Sequence, residues 1–238
     1  MSAFFRVIRM KENFVINKRL LCAAQFVRRG ARVCDVGTDH AYLPIFLCKA
    51  GIAERALASD INEGPCRRAE ENVRLHGCGD KIEVVCADGL SAAQEFSPTD
   101  IVICGMGGEL IRDIVFASDI ARDPNVRLIM QPMTKAPALR DALVSRGFSI
   151  VGEAVVRDDK LYQIIVAEYT GKRRSLTETE LLLGPVNIEK RGEYFDEFVE
   201  DHIAKQKKIL LNKKLHGIPC AAEEKLIAAL EEILNRHQ

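Results

Sequence analysis

Three acidic residues recur early in the chain, each closing an apolar run and each next to a turn-forming residue. Asp35 opens the string Asp35-Val36-Gly37-Thr38-Asp39-His40, Asp60 closes Ala58-Ser59-Asp60 25 residues later, and Asp88 precedes Gly89. An acid at the end of a buried strand, followed by a glycine turn into a helix, is how doubly wound folds open a nucleotide-type site. In that arrangement Asp60 is placed to accept from two ribose hydroxyls, with Ile61 beside it. Asp88 can accept from an exocyclic adenine amine. Any one of these carboxylates serves equally well as a helix N-cap or turn residue. Three at successive strand ends favour a cofactor crevice. Further along, Gly105-Met106-Gly107-Gly108 brings small residues to a fourth strand end, where a flat ring can approach the backbone, and Gln131-Pro132 closes a fifth. The glycines also suit a tight turn of positive φ, and Gln131 is either a reader of a base edge or an exposed strand-end residue.

The charge at the first turn selects among cofactors. Asp35 and Asp39 repel a pyrophosphate unless several glycines bring backbone amides to it, and Asp39 and Ala41 stand where those glycines belong. S-adenosylmethionine has no phosphate and carries a sulfonium and an amino group, so acids at this turn suit it. NAD and ATP are disfavoured.

These residues need a sheet to hold them. Strand-like runs over 31–36, 56–59, 81–86, 100–104 and 126–131 alternate with helical patterns over 41–50, 63–76, 108–118 and 136–146. Asn62 is placed to cap the second helix. Such alternation implies crossover units and a parallel sheet. Runs over 149–156 and 162–169 are joined only by Arg157-Asp158-Asp159-Lys160, a link short enough to force an antiparallel pair. The expected fold class is therefore α/β, a doubly wound Rossmann-like sheet of the class I methyltransferase kind, ending in an antiparallel β-hairpin. Beyond the polar break at 171–174, a short helical turn over 177–183 and helical patterns over 188–215 and 222–234 flank the Gly217-Ile218-Pro219 turn. They form a C-terminal α-helical hairpin. The expected division is a catalytic domain over 1–170 and a helical, coiled-coil-like domain over 171–238.

Composition excludes several classes. With 34 basic and 34 acidic residues the molecule is no polycation, and 47% hydrophobic with 29% charged residues is ordinary for a globular protein. No run approaches the roughly 18 apolar residues of a membrane helix. The eight cysteines contain no Cys-x-x-Cys, and Cys34, Cys86 and Cys104 lie in apolar runs, so neither disulfides nor a metal is expected, and a reducing cytoplasmic setting follows. Up to residue 32, eight basic residues face Glu12 alone, a net +7. That stretch is either a footprint for a polyanion or a solvated helix. Arg19, Arg28, Arg29, Lys135 and Arg140 are candidates for phosphate contacts, and Lys205, Lys207, Lys208, Lys213 and Lys214 offer a second basic surface or a solvated helix face.

The strings Asp35-Val36-Gly37-Thr38-Asp39-His40-Ala41-Tyr42-Leu43-Pro44, Ala58-Ser59-Asp60-Ile61 with Gly64-Pro65, Asp88-Gly89-Leu90, Gly105-Met106-Gly107-Gly108 and Gln131-Pro132 together resemble the bacterial tRNA (adenine(22)-N1)-methyltransferase family in order and spacing. The resemblance runs from about Leu20 to the C-terminus. It implies a class I methyltransferase fold with a helical extension, S-adenosylmethionine as cofactor, and tRNA as partner, methylated on N1 of an adenine in the D-arm region. The cofactor residues so implied are Asp35, Gly37, Asp60, Ile61, Asp88, Gly89 and Gly105. Asp39, His40, Tyr42, Met106 and Gln131 fall at the reacting end. A monomer without metal is expected. The rival readings are a methyltransferase acting on a small molecule or protein, and a non-catalytic, cofactor-sensing RNA-binding module.

Neutral adenine N1 has a free lone pair, so attack on a methyl group needs no prior deprotonation; holding the reacting atoms in line supplies much of the catalysis. The product ring is cationic, and Asp39 is placed to stabilise it. N1 lies on the pairing edge, so the base must be unpaired or flipped out. His40 and Tyr42 are candidates for stacking on it, against the alternatives of a helix cap and a core residue.

Overall fold

The structure is a computed structural model that describes residues 16–236. The basic residues Arg6, Arg9 and Lys11 lie outside the described residues.

Seven strands form one sheet: β1 (Ala31–Val36), β2 (Ala53–Asp60), β3 (Ile82–Cys86), β4 (Asp100–Gly107), β5 (Arg127–Thr134), β6 (Phe148–Arg157) and β7 (Leu161–Tyr169). Their order is β3-β2-β1-β4-β5-β7-β6. Strands β1 to β5 run parallel, β7 pairs antiparallel with β5, and β6 returns antiparallel along β7. Chain order reverses direction across the sheet between β1 and β4, which opens a crevice at the carboxyl ends of those two strands.

Alternation along the central strands feeds two separate cores, as burial on both faces requires. Val33, Val102 and Ile129 face one side with Phe46, Leu47, Ala69 and Val73. That side is covered by α1 (Lys18–Ala24), α2 (Tyr42–Lys49) and α3 (Glu63–Leu75). Cys34, Ile101, Ile103, Leu128 and Met130 face the other with Phe96, Ile111, Leu139 and Leu143. Here the cover is α4 (Ala93–Phe96), α5 (Gly108–Ala117) and α6 (Ala136–Ser145).

The C-terminal region contains α7 (Glu178–Leu183), α8 (Pro185–Lys190), α9 (Phe195–Leu215) and α10 (Ala221–Asn235). Thr177 caps α7 in a full capping box with Glu180. Phe195, Phe198, Val199, Leu226, Leu230 and Ile233 form a third core that also takes in Val155 and Leu161 of the β6–β7 hairpin. The helical pattern over 188–215 is two helices rather than one, because Arg191 adopts a left-handed conformation (φ 45°) that ends α8. Asn62 occupies the N-cap position of α3, but its side chain does not cap. Its backbone N–H and side-chain amide both donate to Asp60 Oδ1, at 3.0 and 3.4 Å.

The basic residues sort differently from the sequence reading. Arg28 lies at the opposite end of the sheet from the crevice, where its Nε donates to buried Asp100 at 3.0 Å. Arg140 is wholly buried: it donates to Glu153 at 2.7 Å and Gln163 at 2.6 Å, so it meets no phosphate. Four of the five C-terminal lysines are held in ion pairs, Lys205 with Asp201, Lys207 with Glu231, Lys213 with Glu223 and Lys214 with Glu224. Three of those pairs join α9 to α10. Cys86 is exposed at the end of β3 rather than buried in an apolar run.

Candidate active site

A cavity of about 220 Å³ opens where β1 and β4 diverge, between the first turn of α1 and the turn that follows β1. Arg19, Asp35, Thr38, Asp39, His40 and Tyr42 are among the residues that line it.

Asp35, next to last in β1, is only 5% exposed, and its Oδ2 accepts from Thr38 Oγ1 at 2.7 Å. Burial raises its carboxyl to about 6, against the Thr38 hydrogen bond, which lowers it, and with the nearby charge of Asp60, which raises it further. The turn is tied to β2 because the Gly37 and Thr38 amides both donate to the Ser59 carbonyl, at 2.8 and 2.9 Å. Gly37 takes φ +75°, and the terminal methyl of Met106 occupies the place of the missing side chain. Two non-glycine residues, Asp39 (φ 50°) and Ala41 (φ 55°), are also left-handed here.

This strained turn is held from α3. Arg68 donates to Asp39 Oδ1 at 2.9 Å, and Asn72 Nδ2 donates to the His40 carbonyl at 3.0 Å. His40 Nε2 lies 3.5 Å from Asp39 Oδ2. The His40 and Tyr42 rings stack with centroids 5.1 Å apart and planes within 11°. Tyr42 is 37% exposed, so it faces the crevice rather than the core. His40 does not cap α2, whose N-cap is Ala41 with no side-chain hydrogen bond.

The far wall comes from β4, β5 and α1. Gly105 (φ +84°) donates its amide to Gln131 Oε1 at 3.2 Å, and Arg19 Nη1 donates to the same oxygen at 2.8 Å. Gln131 Nε2 donates to the Pro132 carbonyl at 3.1 Å. Gln131 has no exposed surface and both ends of its amide are engaged, so it braces the wall and does not read a base edge. The glycine string stays in the sheet, with Met106 opposite Pro132 and Gly107 opposite Thr134. Gly108 then starts α5 so close to the Lys135 carbonyl that a Cβ would lie 2.7 Å from it.

Asp60 and Asp88 follow along the same sheet edge, at the ends of β2 and β3, outside that cavity. Asp88 and Ile61 are exposed, Ile61 by 61%. Gly89 (φ +53°) turns the chain against Ile114. Sequence reasoning had not placed α1 in the site. Asn17 caps α1 through the Leu20 amide at 2.9 Å, a signal readable in Asn17-Lys18-Arg19-Leu20-Leu21. The supporting roles of Arg68 and Asn72 carried no local signal.

Sheet order, terminal hairpin and acid-lined crevice define a class I methyltransferase-type domain, and residues 16–165 match the family model described as a methyltransferase domain. The Bacillus subtilis tRNA (adenine(22)-N(1))-methyltransferase is 34% identical over 64% of this chain and 65% of its own length, so the match spans just under two thirds of that relative. A Streptococcus pneumoniae structure described as a candidate tRNA (m1A22) methyltransferase, in complex with S-adenosyl-L-methionine, is 34% identical, with TM-score 0.80 over 93% of this chain and 100% of that one. The crystal structure of the B. subtilis m1A22 tRNA methyltransferase superimposes with TM-score 0.80 at 27% identity, over 94% of this chain and 100% of that one. The chain belongs to the tRNA (adenine(22)-N1)-methyltransferase family.

Proposed function

We propose that this protein transfers a methyl group from S-adenosylmethionine to N1 of an adenine in tRNA, at position 22 of the D-arm region. The observation that carries the reading is the pairing of a half-buried cation, Arg19, with a buried acid, Asp35, in one small cavity above glycine-lined backbone. Among the described residues Arg19 has no carboxylate within ion-pair distance. A cation on one wall and an acid on the other suit a zwitterionic amino-acid head, Asp35 taking the ammonium and Arg19 the carboxylate. Buried Asp35 does not suit a pyrophosphate. The donor set therefore fits S-adenosylmethionine.

Asp60 would hold the ribose hydroxyls, Ile61 would cover the adenine face, and Asp88 would accept from the adenine amine. When bound, the cofactor supplies a sulfonium-activated methyl group. The chain's own residues then orient the acceptor. Gly105 and Gly107 leave room for a base against the backbone, and the stacked His40–Tyr42 pair offers an aromatic surface for a flipped-out ring. Asp39, steadied by Arg68, faces the cation that N1 methylation leaves on the ring. Met106 packs over Gly37 and shapes the floor between the two ligands.

The reading describes a monomer working without metal in the cytoplasm, where its RNA is. All eight cysteines are free, and no described helix is long and apolar enough to cross a membrane. Incubation with methyl-labelled cofactor and unmodified tRNA transcripts tests the reaction class. Label in the RNA is expected; a protein that binds cofactor yet labels no tRNA contradicts the proposal.

A further inference from the structure

Two thiols flank the loop that leaves β2. Cys66, in the first turn of α3, donates from Sγ to the Asp60 carbonyl at 3.4 Å and lies 3.6 Å from the Val85 carbonyl. Cys86, the last residue of β3, donates from Sγ to the Ile61 carbonyl at 3.5 Å. Strand register sets Cys86 opposite Asp60. Burial first, and then the neighbouring Cys86 side chain, push the Cys66 thiol up to about 11. Cys66 is 5% exposed, whereas Cys86 is open to solvent. Cys22, Cys34, Cys48 and Cys78 are buried, so Cys86 is the most accessible thiol of the described set, and its neighbour is another thiol.

We propose that Cys66 and Cys86 form a redox-modifiable pair, oxidised by hydrogen peroxide to a disulfide that releases the Asp60-Ile61 loop and weakens cofactor binding. The effect on the cofactor rests on the proposed function; the cross-link does not.

The Cys86 thiolate attacks one peroxide oxygen, the O–O bond breaks, and the sulfur becomes a sulfenic acid as hydroxide leaves. Cys66 gives its proton to that hydroxide and attacks the Cys86 sulfur; the S–S bond forms and the S–O bond breaks. The S–O oxygen leaves as hydroxide and takes up the proton that Cys86 released to solvent on forming its thiolate. Two thiols are oxidised by two electrons and one peroxide is reduced to two waters. Before oxidation, the S–H groups fix two successive carbonyls of the loop that carries the Asp60 carboxylate. A disulfide has no S–H to donate, so both bonds are lost together. Reversal needs only a thiol or phosphine reductant.

The test treats the purified full-length protein with hydrogen peroxide, alkylates remaining thiols, digests without reduction and analyses peptides by mass spectrometry, with S-adenosylmethionine affinity measured in parallel by calorimetry. The expected result is a linked peptide joining Cys66 to Cys86 and an affinity weaker by about tenfold, the scale of one or two lost hydrogen bonds, both reversed by tris(2-carboxyethyl)phosphine. In Cys86→Ser, whatever its starting affinity, peroxide produces no further change. Absence of the linked peptide, a linked peptide with unchanged affinity, or peroxide sensitivity persisting in Cys86→Ser each overturns the proposal. Reduced wild-type protein that binds no S-adenosylmethionine contradicts the proposed function instead, and takes with it only the cofactor half of this inference.

Discussion

Arg140 Nε donates to Glu153 Oε1 at 2.7 Å with both side chains fully buried, joining α6 to the terminal hairpin. The second Glu153 oxygen accepts from the Val186 and Asn187 amides at 2.9 and 3.3 Å, and Arg140 also reaches the Leu181 carbonyl at 2.9 Å. One buried ion pair therefore fastens α7 and α8 to the sheet. Removing one partner leaves the other charge uncompensated, so Glu153→Ala is expected to cost about 3–5 kcal/mol in chemical denaturation. The double replacement Arg140→Met with Glu153→Leu should cost less than the sum of the single changes. Simple additivity would show that the pair does not act as a unit.

With Asp35 as the proposed ammonium partner, cofactor binding should depend on pH. The Asp35 carboxyl stands at about 6 in the folded chain against an ordinary 3.8, so the folded state binds the proton more tightly than the unfolded state does. The resulting stabilisation is present at low pH and is lost as pH rises through about 6; above that, ionised Asp35 opposes folding by on the order of 2–3 kcal/mol. Asp35→Asn should therefore match or exceed wild-type stability at pH 8. Affinity for S-adenosylmethionine should rise in the wild type between pH 5 and 7 as the carboxylate forms, roughly following that titration. In Asp35→Asn the affinity should be low and flat. A wild-type affinity independent of pH over that range counts against Asp35 as the ammonium partner.

Gly37 and Met106 share one space. Gly37→Ala forces a Cβ onto the Met106 methyl at φ +75°, and is expected to lower cofactor affinity more than tenfold and stability by about 1–3 kcal/mol. Met106→Ala in the same background should recover part of the packing loss but not the backbone strain. Full recovery would place the whole effect on the clash.

Asp60→Ala is expected to weaken cofactor binding by about ten- to hundredfold on calorimetric titration, the loss of charge-assisted hydrogen bonds to two ribose hydroxyls. Unchanged affinity removes Asp60 from that role.

The paired lysines of the helical hairpin should contribute little to RNA affinity. Lys207→Ala and Lys214→Ala, which break exposed ion pairs with Glu231 and Glu224, should change stability by about 0–1 kcal/mol. The slope of log affinity for tRNA against log salt should stay as in wild type. A slope reduced by nearly one per lysine would assign these residues to phosphate contacts.

Much of this molecule was legible in its sequence, for reasons visible in particular elements. The run 31–36 is β1 to the residue, because Val33, Cys34 and Val36 supply apolar side chains to a strand buried on both faces, with a turn at each end. The antiparallel ending follows from the four-residue link alone. Strands β4 and β5 extend past their apolar runs because Met106 and Gly107 keep pairing with Pro132 and Thr134, which hydrophobicity does not reveal. At the site, the spacing of Asp35, Asp60 and Asp88 pointed to one sheet edge, and they lie there. The fate of the basic residues was not legible. Arg28 finds Asp100 72 positions away and Arg19 finds Gln131 112 positions away, so their roles depend on contacts that no local pattern encodes.

The most direct test of the central claim is the identity and position of the methylated nucleoside. Purified protein would be incubated with methyl-labelled S-adenosylmethionine and a tRNA transcript, and the RNA digested to nucleosides. Label should appear in 1-methyladenosine, and should disappear when the adenine at position 22 is replaced by guanine while other adenines remain. Label in another nucleoside, or 1-methyladenosine that persists in the substituted transcript, would contradict the account.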